Sequence, residues 1–169
     1  DLPVGGFTAA ARKDAAARLA AMGLPGARDE YWRYTNPAPF NAPTPEALAY
    51  TSRESSLFEG IDRLKLVFVD GVFDAAASDD LSGEGMQIEV LSAADTGTAH
   101  WAADLYGKLE TSGQNPVKRP FAALNTLAAR DGVLIRVTGK VARPVHILYR
   151  RAAQAADVHV HHVIRLEPG

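Results

Sequence analysis

Three short apolar segments, "VLIRV", "PVHILY" and "VHVHHVIRL", follow Asp131-Gly132 with centres about 12 to 15 residues apart. Turns separate them. This spacing constrains the last part of the chain to short strands, and the rungs of a β-solenoid, a sandwich or a meander all satisfy it. Upstream of Asp131 the periodicity is different.

Residues 7 to 22, "FTAAARKDAAARLAAM", read as a helix. Alanine has the highest helix propensity, and Thr8 can cap the first turn. Phe7, Ala11, Ala15, Leu19 and Met22 share one side, with charges mainly elsewhere. Gly23 stops the helix and Pro25 forbids its continuation. "RDEYWRYTN" predicts a short helix or turn with Trp32 inward, and the proline-dense "PAPFNAPTP" prevents regular structure. "EALAY" suits a helical turn. "LKLVFVDGVF" is the clearest strand, and its Asp70-Gly71 is a hairpin turn. "MQIEVL" alternates as a second strand. "AHWAADLYGKLE" spaces Trp101, Leu105 and Leu109 by fours, as a helix would, and "TSGQNPVKRP" is the best internal boundary. "PFAALNTLAARDG" starts a helix on Pro120. Its Phe121, Leu124, Asn125 and Ala128 form the apolar stripe. The fold class expected is therefore α+β: a helical N-terminal region with a small sheet (residues 1–115), then a linking helix and a run of strands (116–169).

Charge and composition exclude several functions. Eighteen basic against twenty acidic residues give a net charge of −2, which argues against nucleic acid or an anionic membrane as the main partner. With no cysteine, disulfides, thiolate metal sites and cysteine catalysis are excluded within the chain. No apolar run reaches the length of a membrane span, and the first residues do not read as a signal peptide. A cytoplasmic protein is expected. "SGEG" lacks the lysine and hydroxyl residue of a phosphate-binding loop, and no serine nucleophile elbow is present.

The histidines are the first candidates for chemistry. On a strand, His159 and His161 share one face, and His162 shares the other with Val158, Val160, Ile164 and Leu166. A pair spaced by two can hold one metal, as in cupin-like barrels, but the site needs a third ligand. Glu167 has the right parity and lies roughly 20 Å beyond His161 on an extended strand. His146 and His100 could approach only through the fold. The expected reading is a wet face for His159 and His161, and no metal. The cluster Arg28–Tyr34 is either a recognition surface or a corner plugged by Trp32, with Arg28 or Arg33 paired to Asp29 or Glu30. The Asn125 amide is expected to tie a loop or strand carbonyl to its helix.

Taken in order, "GLPGARDEYWRYTN", "LVFVDGVF", "FAALNTLAARDGVLIRV", "RPVHILY" and "VIRLEPG" resemble the SufB/SufD family of the SUF iron–sulfur cluster assembly system. The resemblance runs from Gly23 to Gly169. It implies an N-terminal, mostly helical region, then a long right-handed parallel β-helix and a C-terminal helical domain. This chain would be an N-terminal fragment, with the histidine strand on an early rung. The resemblance further implies a scaffold rather than an enzyme. Its partners would be a SufB-like paralogue and a SufC-like ATPase, bound through regions mostly absent here. The cluster is assembled elsewhere in the complex, so no catalytic, cofactor or metal residue carries over to these positions. Two other readings remain open: a metal-dependent cupin-like small-molecule enzyme, and a plain protein-interaction module. A rung without a successor exposes an edge. The terminal strand Val158–Leu166 is therefore expected either to pair with a second copy, antiparallel across a two-fold, or to be poorly ordered.

Overall fold

The computed structural model describes residues 5–44, 57–108, 118–152 and 157–168. The chain divides into two compact units, Asp1–Pro45 with Asp95–Ala129, and Glu46–Ala94 with Arg130–Gly169. The polypeptide thus leaves the first unit, returns to it, and leaves again. The expected boundary at residue 115 lies outside the described residues. The expected turn at residues 46–50 lies outside them too.

In the first unit, helices α1 (Ala9–Met22) and α2 (Pro120–Ala128) pack together. The predicted stripe is the covered side, with Phe7 and Ala15 buried and Ala11, Leu19 and Met22 half-buried, and a charge joins it. Arg12 is buried. Its Nε donates to Thr8 Oγ1 (2.8 Å) and its Nη1 to the Leu127 carbonyl (2.9 Å), in the last turn of α2. A cation is favoured there because the free carbonyls at a helix C-terminus carry partial negative charge. The guanidinium also lies over the Tyr106 ring, and Tyr106 Oη donates to the Thr126 carbonyl. Thr8 stands at the N-cap but makes no side-chain capping bond. Its hydroxyl donates to Asp95 instead and accepts from Arg12. Gly23 ends α1 with φ 67°.

Two expectations are corrected here. "AHWAADLYGKLE" contains a 3-10 turn at Trp101–Asp104 instead of a long helix, with the His100 Nδ1 accepting from Ala102 N. Gly107 turns the chain at φ +68°, and the expected helix position Leu109 lies outside the described residues. On α2 the buried positions are Pro120, Ala123 and Thr126, one step from the predicted stripe. Phe121 turns instead to Trp32, edge to face at 5.2 Å.

The second unit holds two three-stranded sheets. Strands β1 (Leu64–Val69), β2 (Val72–Phe73) and β5 (Val145–Arg150) form one, in the order β2-β1-β5. Strands β3 (Met86–Val90), β4 (Val133–Val137) and β6 (Val163–Leu166) form the other, in the order β3-β4-β6. The Asp70-Gly71 turn joins β1 to β2 with both residues at positive φ. Leu64, Leu66 and Phe68 from one sheet meet Met86, Ile88, Val133 and Ile135 from the other in a single apolar cluster. Each such side chain stabilises the fold by about 1.5–3 kcal/mol when fully buried.

After β4 the chain crosses to β5 and returns to β6. β5 runs parallel to β1, and β6 runs parallel to β4. Both sheets are open, and both end on the later strand. The opposite edge of β1 is closed by the segment 74–79, where Ser78 Oγ and Asp79 Oδ2 accept from Val67 N and Lys65 N. The β5/β6 side has no such cover among the described residues. Ile164 is registered against Ile135, yet the first is 53% exposed and the second 5%. Leu166 is 73% exposed, and Tyr149, registered against the buried Phe68, is 59% exposed.

Asp131 ends the run from α2 into β4. It is buried, and its two oxygens accept from three main-chain N–H groups: Phe73 (2.9 Å), Ser92 (3.2 Å) and Gly132 (2.9 Å). Removing the carboxylate orphans all three. Asp131→Ala is expected to lower stability by more than about 3 kcal/mol in urea unfolding, and Asp131→Asn by less, because one oxygen can still accept. Equal losses for the two variants would contradict this role.

Candidate functional site

The histidine run is placed by β4. Asp131 bridges Val160 in parallel and Leu134 pairs with Val163, so a single register covers the whole run. Regular strand begins only at Val163, five residues later than the expected Val158. The interruption has a side-chain cause. His162 points inward, as its parity requires, and its Nδ1 accepts the Val133 N–H (2.9 Å) in place of a ladder carbonyl. Its Nε2 lies 2.6 Å from Tyr149 Oη, and the Phe68 ring meets it edge to face. Because Nδ1 accepts, the ring proton of the neutral imidazole sits on Nε2 and is donated to Tyr149. Burial holds the His162 pKa below its ordinary 6.5, and the Asp131 charge partly opposes this. Burial also raises the Tyr149 pKa.

The remaining histidines are dispersed. His146 meets Phe58 edge to face, and His100 is stacked on Phe7 at 4.6 Å. Among the described residues no three His, Asp or Glu side chains gather as a metal site, and His159 and His161 gain no third ligand. Glu167, the acid of matching parity, is instead held by Arg136 Nε (2.6 Å) and Arg165 Nε (2.9 Å). A depression of about 400 Å³ is lined by Ser82, Gly83, Glu84, Met86, Ala142 and Arg143. It combines one acid with one guanidinium, itself 3.6 Å from Asp62, and contains no nucleophile–base pair.

The cluster Arg28–Tyr34 forms a 3-10 turn at Glu30–Trp32. Trp32 is half-buried against Phe40 and Phe121, which fits the expected plug. The expected ion pairs are not made. No pair joins Arg28 or Arg33 to Asp29 or Glu30 among the described residues, and Arg33 lies over the Tyr34 ring at 5.5 Å. Tyr31, Tyr34 and Phe40 are exposed, Tyr34 to 90%. The Tyr149–His162 contact was not anticipated. Only parity hinted at it, by turning His162 inward.

A family model described as the SufBD protein N-terminal region matches residues 6–147. That is most of the chain, and the chain belongs to the SufB/SufD family, whose setting is iron–sulfur cluster assembly by the SUF system. No curated protein matches it. The described helices are also too short or too polar to cross a membrane.

Two measurements check this site. Zinc, nickel and iron analysis of untagged, dialysed protein is expected to find no stoichiometric metal; metal that survives dialysis and disappears in His159→Ala would reverse that. The second concerns Glu167, whose pKa is lowered from 4.5 chiefly by the Arg136 hydrogen bond, with the Arg165 charge assisting. A lowered carboxylate pKa means stability that is fully present above about pH 4.5 and lost as pH falls through the folded value. The stability gap between wild type and Glu167→Gln is therefore expected to be constant above pH 5 and to shrink below it.

Proposed function

We propose that this chain is the N-terminal part of a SufD-like scaffold subunit of the SUF complex. The observation that carries the proposal is the family match over residues 6–147, joined to the β4–β5–β6 path with its two parallel pairings. In this reading the path is the start of a right-handed parallel β-helix, with β1 and β4 stacked beneath β5 and β6. The chain works in the cytoplasm as a scaffold, not an enzyme. It holds no cofactor in this segment, and the nascent cluster is cargo assembled elsewhere in the complex. Its partners are a SufB-like paralogue and a SufC-like ATPase, engaged mainly through other regions.

The exposed Tyr31, Tyr34 and Phe40 favour a second, compatible role as a protein-contact surface, since aromatic and arginine side chains dominate interface energetics. The open β6 edge gives the 169-residue chain one further option. A second copy pairing antiparallel across a two-fold would cover Ile164 and Leu166. Light scattering over a concentration series, with Val160→Lys as the disrupting control, reads that association.

Co-purification tests the main reading. The protein expressed with SufB-like and SufC-like chains is expected to elute with both in fixed stoichiometry. Elution alone, together with a tightly bound metal and small-molecule turnover, would support the cupin-like alternative. Swapping the partner set separates SufD from SufB character: a SufD-like chain binds the SufB-like subunit in preference to another copy of itself.

A further inference from the structure

His162 sits where the backbone has no slack. A Cβ on Gly132 would come within 2.0 Å of the His161 carbonyl oxygen, so the two chains run tightly together at this point. His161 N donates to the Asp131 carbonyl (3.1 Å) on one side, and the Val163 pairing begins on the other. Between them, the Val133 N–H is held by a side chain. That bond requires a lone pair on Nδ1. A second proton on the ring would place an N–H against the Val133 N–H, two donors 2.9 Å apart with no acceptor between them.

The groups around the ring set how readily that proton is taken up. Tyr149 from β5 faces Nε2 with its hydroxyl. Phe68 from β1 presents an apolar edge. Asp131, ahead of β4, is the charged group within electrostatic reach and favours the protonated ring. Its negative charge is already shared among three N–H donors.

We propose that His162 is a protonation-controlled latch. Unprotonated at Nδ1, it fastens the Val160–Val163 run to β4; doubly protonated, it releases that run and loosens the β6 edge. The direction follows from burial. The folded protein binds the second proton more weakly than the unfolded chain, so the latch is fully closed above about pH 6.5 and weakens as pH falls through the folded value. The segment affected is the edge strand carrying the exposed Ile164 and Leu166. The device therefore couples proton concentration to the readiness of that edge to take or shed a neighbouring strand.

Amide hydrogen exchange on the whole chain between pH 8 and 5, corrected for the intrinsic rate, tests the latch. Protection at Val133, His161 and Val163–Leu166 is expected to fall as pH drops from about 6.5 toward the folded His162 value, by up to about tenfold per pH unit, the slope for one proton, and to level off below it. Leu64–Val69 is expected to hold its protection. The chain carries four other histidines, so His162→Asn is the control. Its Oδ1 can accept from Val133 at every pH, and its protection is expected to stay flat. Imidazole ¹⁵N shifts give a readout that needs no variant, with Nδ1 expected unprotonated at pH 8. The proposal is overturned by flat wild-type protection from pH 6.5 down to where the His162 ring titrates, by a His162→Asn slope equal to wild type, or by a protonated Nδ1 at pH 8.

Discussion

The Asp131 carboxylate is the constraint on which the second unit depends. It lies where the chain leaves α2 and enters β4, and it binds the start of that strand, the hairpin strand β2 and the turn after β3 through three N–H groups. A buried carboxylate is tolerated only when its oxygens are occupied, and here main-chain donors occupy them. Ser92 and Phe73 belong to the elements that follow β3 and β1. Fixing both to one residue sets where the two sheets start relative to each other. The apolar cluster of Leu64, Leu66, Phe68, Met86, Ile88, Val133 and Ile135 fills the space so defined.

The two open sheets have ends of opposite character. At β1, side chains of Ser78 and Asp79 occupy the ladder positions that short β2 leaves free, which closes that edge against further pairing. At β5 and β6 the inward row continues into Tyr149, Ile164 and Leu166 without cover among the described residues. The 74–79 segment gives the sheets this asymmetry with hydrogen bonds and not with bulk.

Charge plays a structural part in both units. Arg12 in the helical unit resembles Asp131 in the sheets: a buried ionic group satisfied by atoms of the opposite polarity, the Leu127 carbonyl and the Thr8 hydroxyl for Arg12 and main-chain N–H groups for Asp131. Its position inside an alanine-rich helix explains why the helix packs closely while burying few large side chains. The aromatic turn of Trp32, Phe40 and Phe121 supplies the apolar area that the alanines lack.

Much of this was legible in the sequence, and what was not has common causes. The strands β1, β3, β4 and β5 follow from alternation and β-branching, the Asp70-Gly71 turn from the need for positive φ at both positions, and the start of α2 from Pro120. The inward side of His162 follows from strand parity alone. These features are local, fixed by side-chain sterics and a period of two or 3.6. The Arg12 bond to the Leu127 carbonyl, the Asp131 bonds to Phe73 and Ser92, and the His162 bond to Val133 join residues far apart in the chain. In each case the partner is a main-chain atom. Every residue offers the same N–H and C=O, so the side-chain sequence carries no mark of which one will be left free. Tertiary structure decided that, by bringing an unpaired donor or acceptor within 3 Å or so of a polar group that could not remain buried without it.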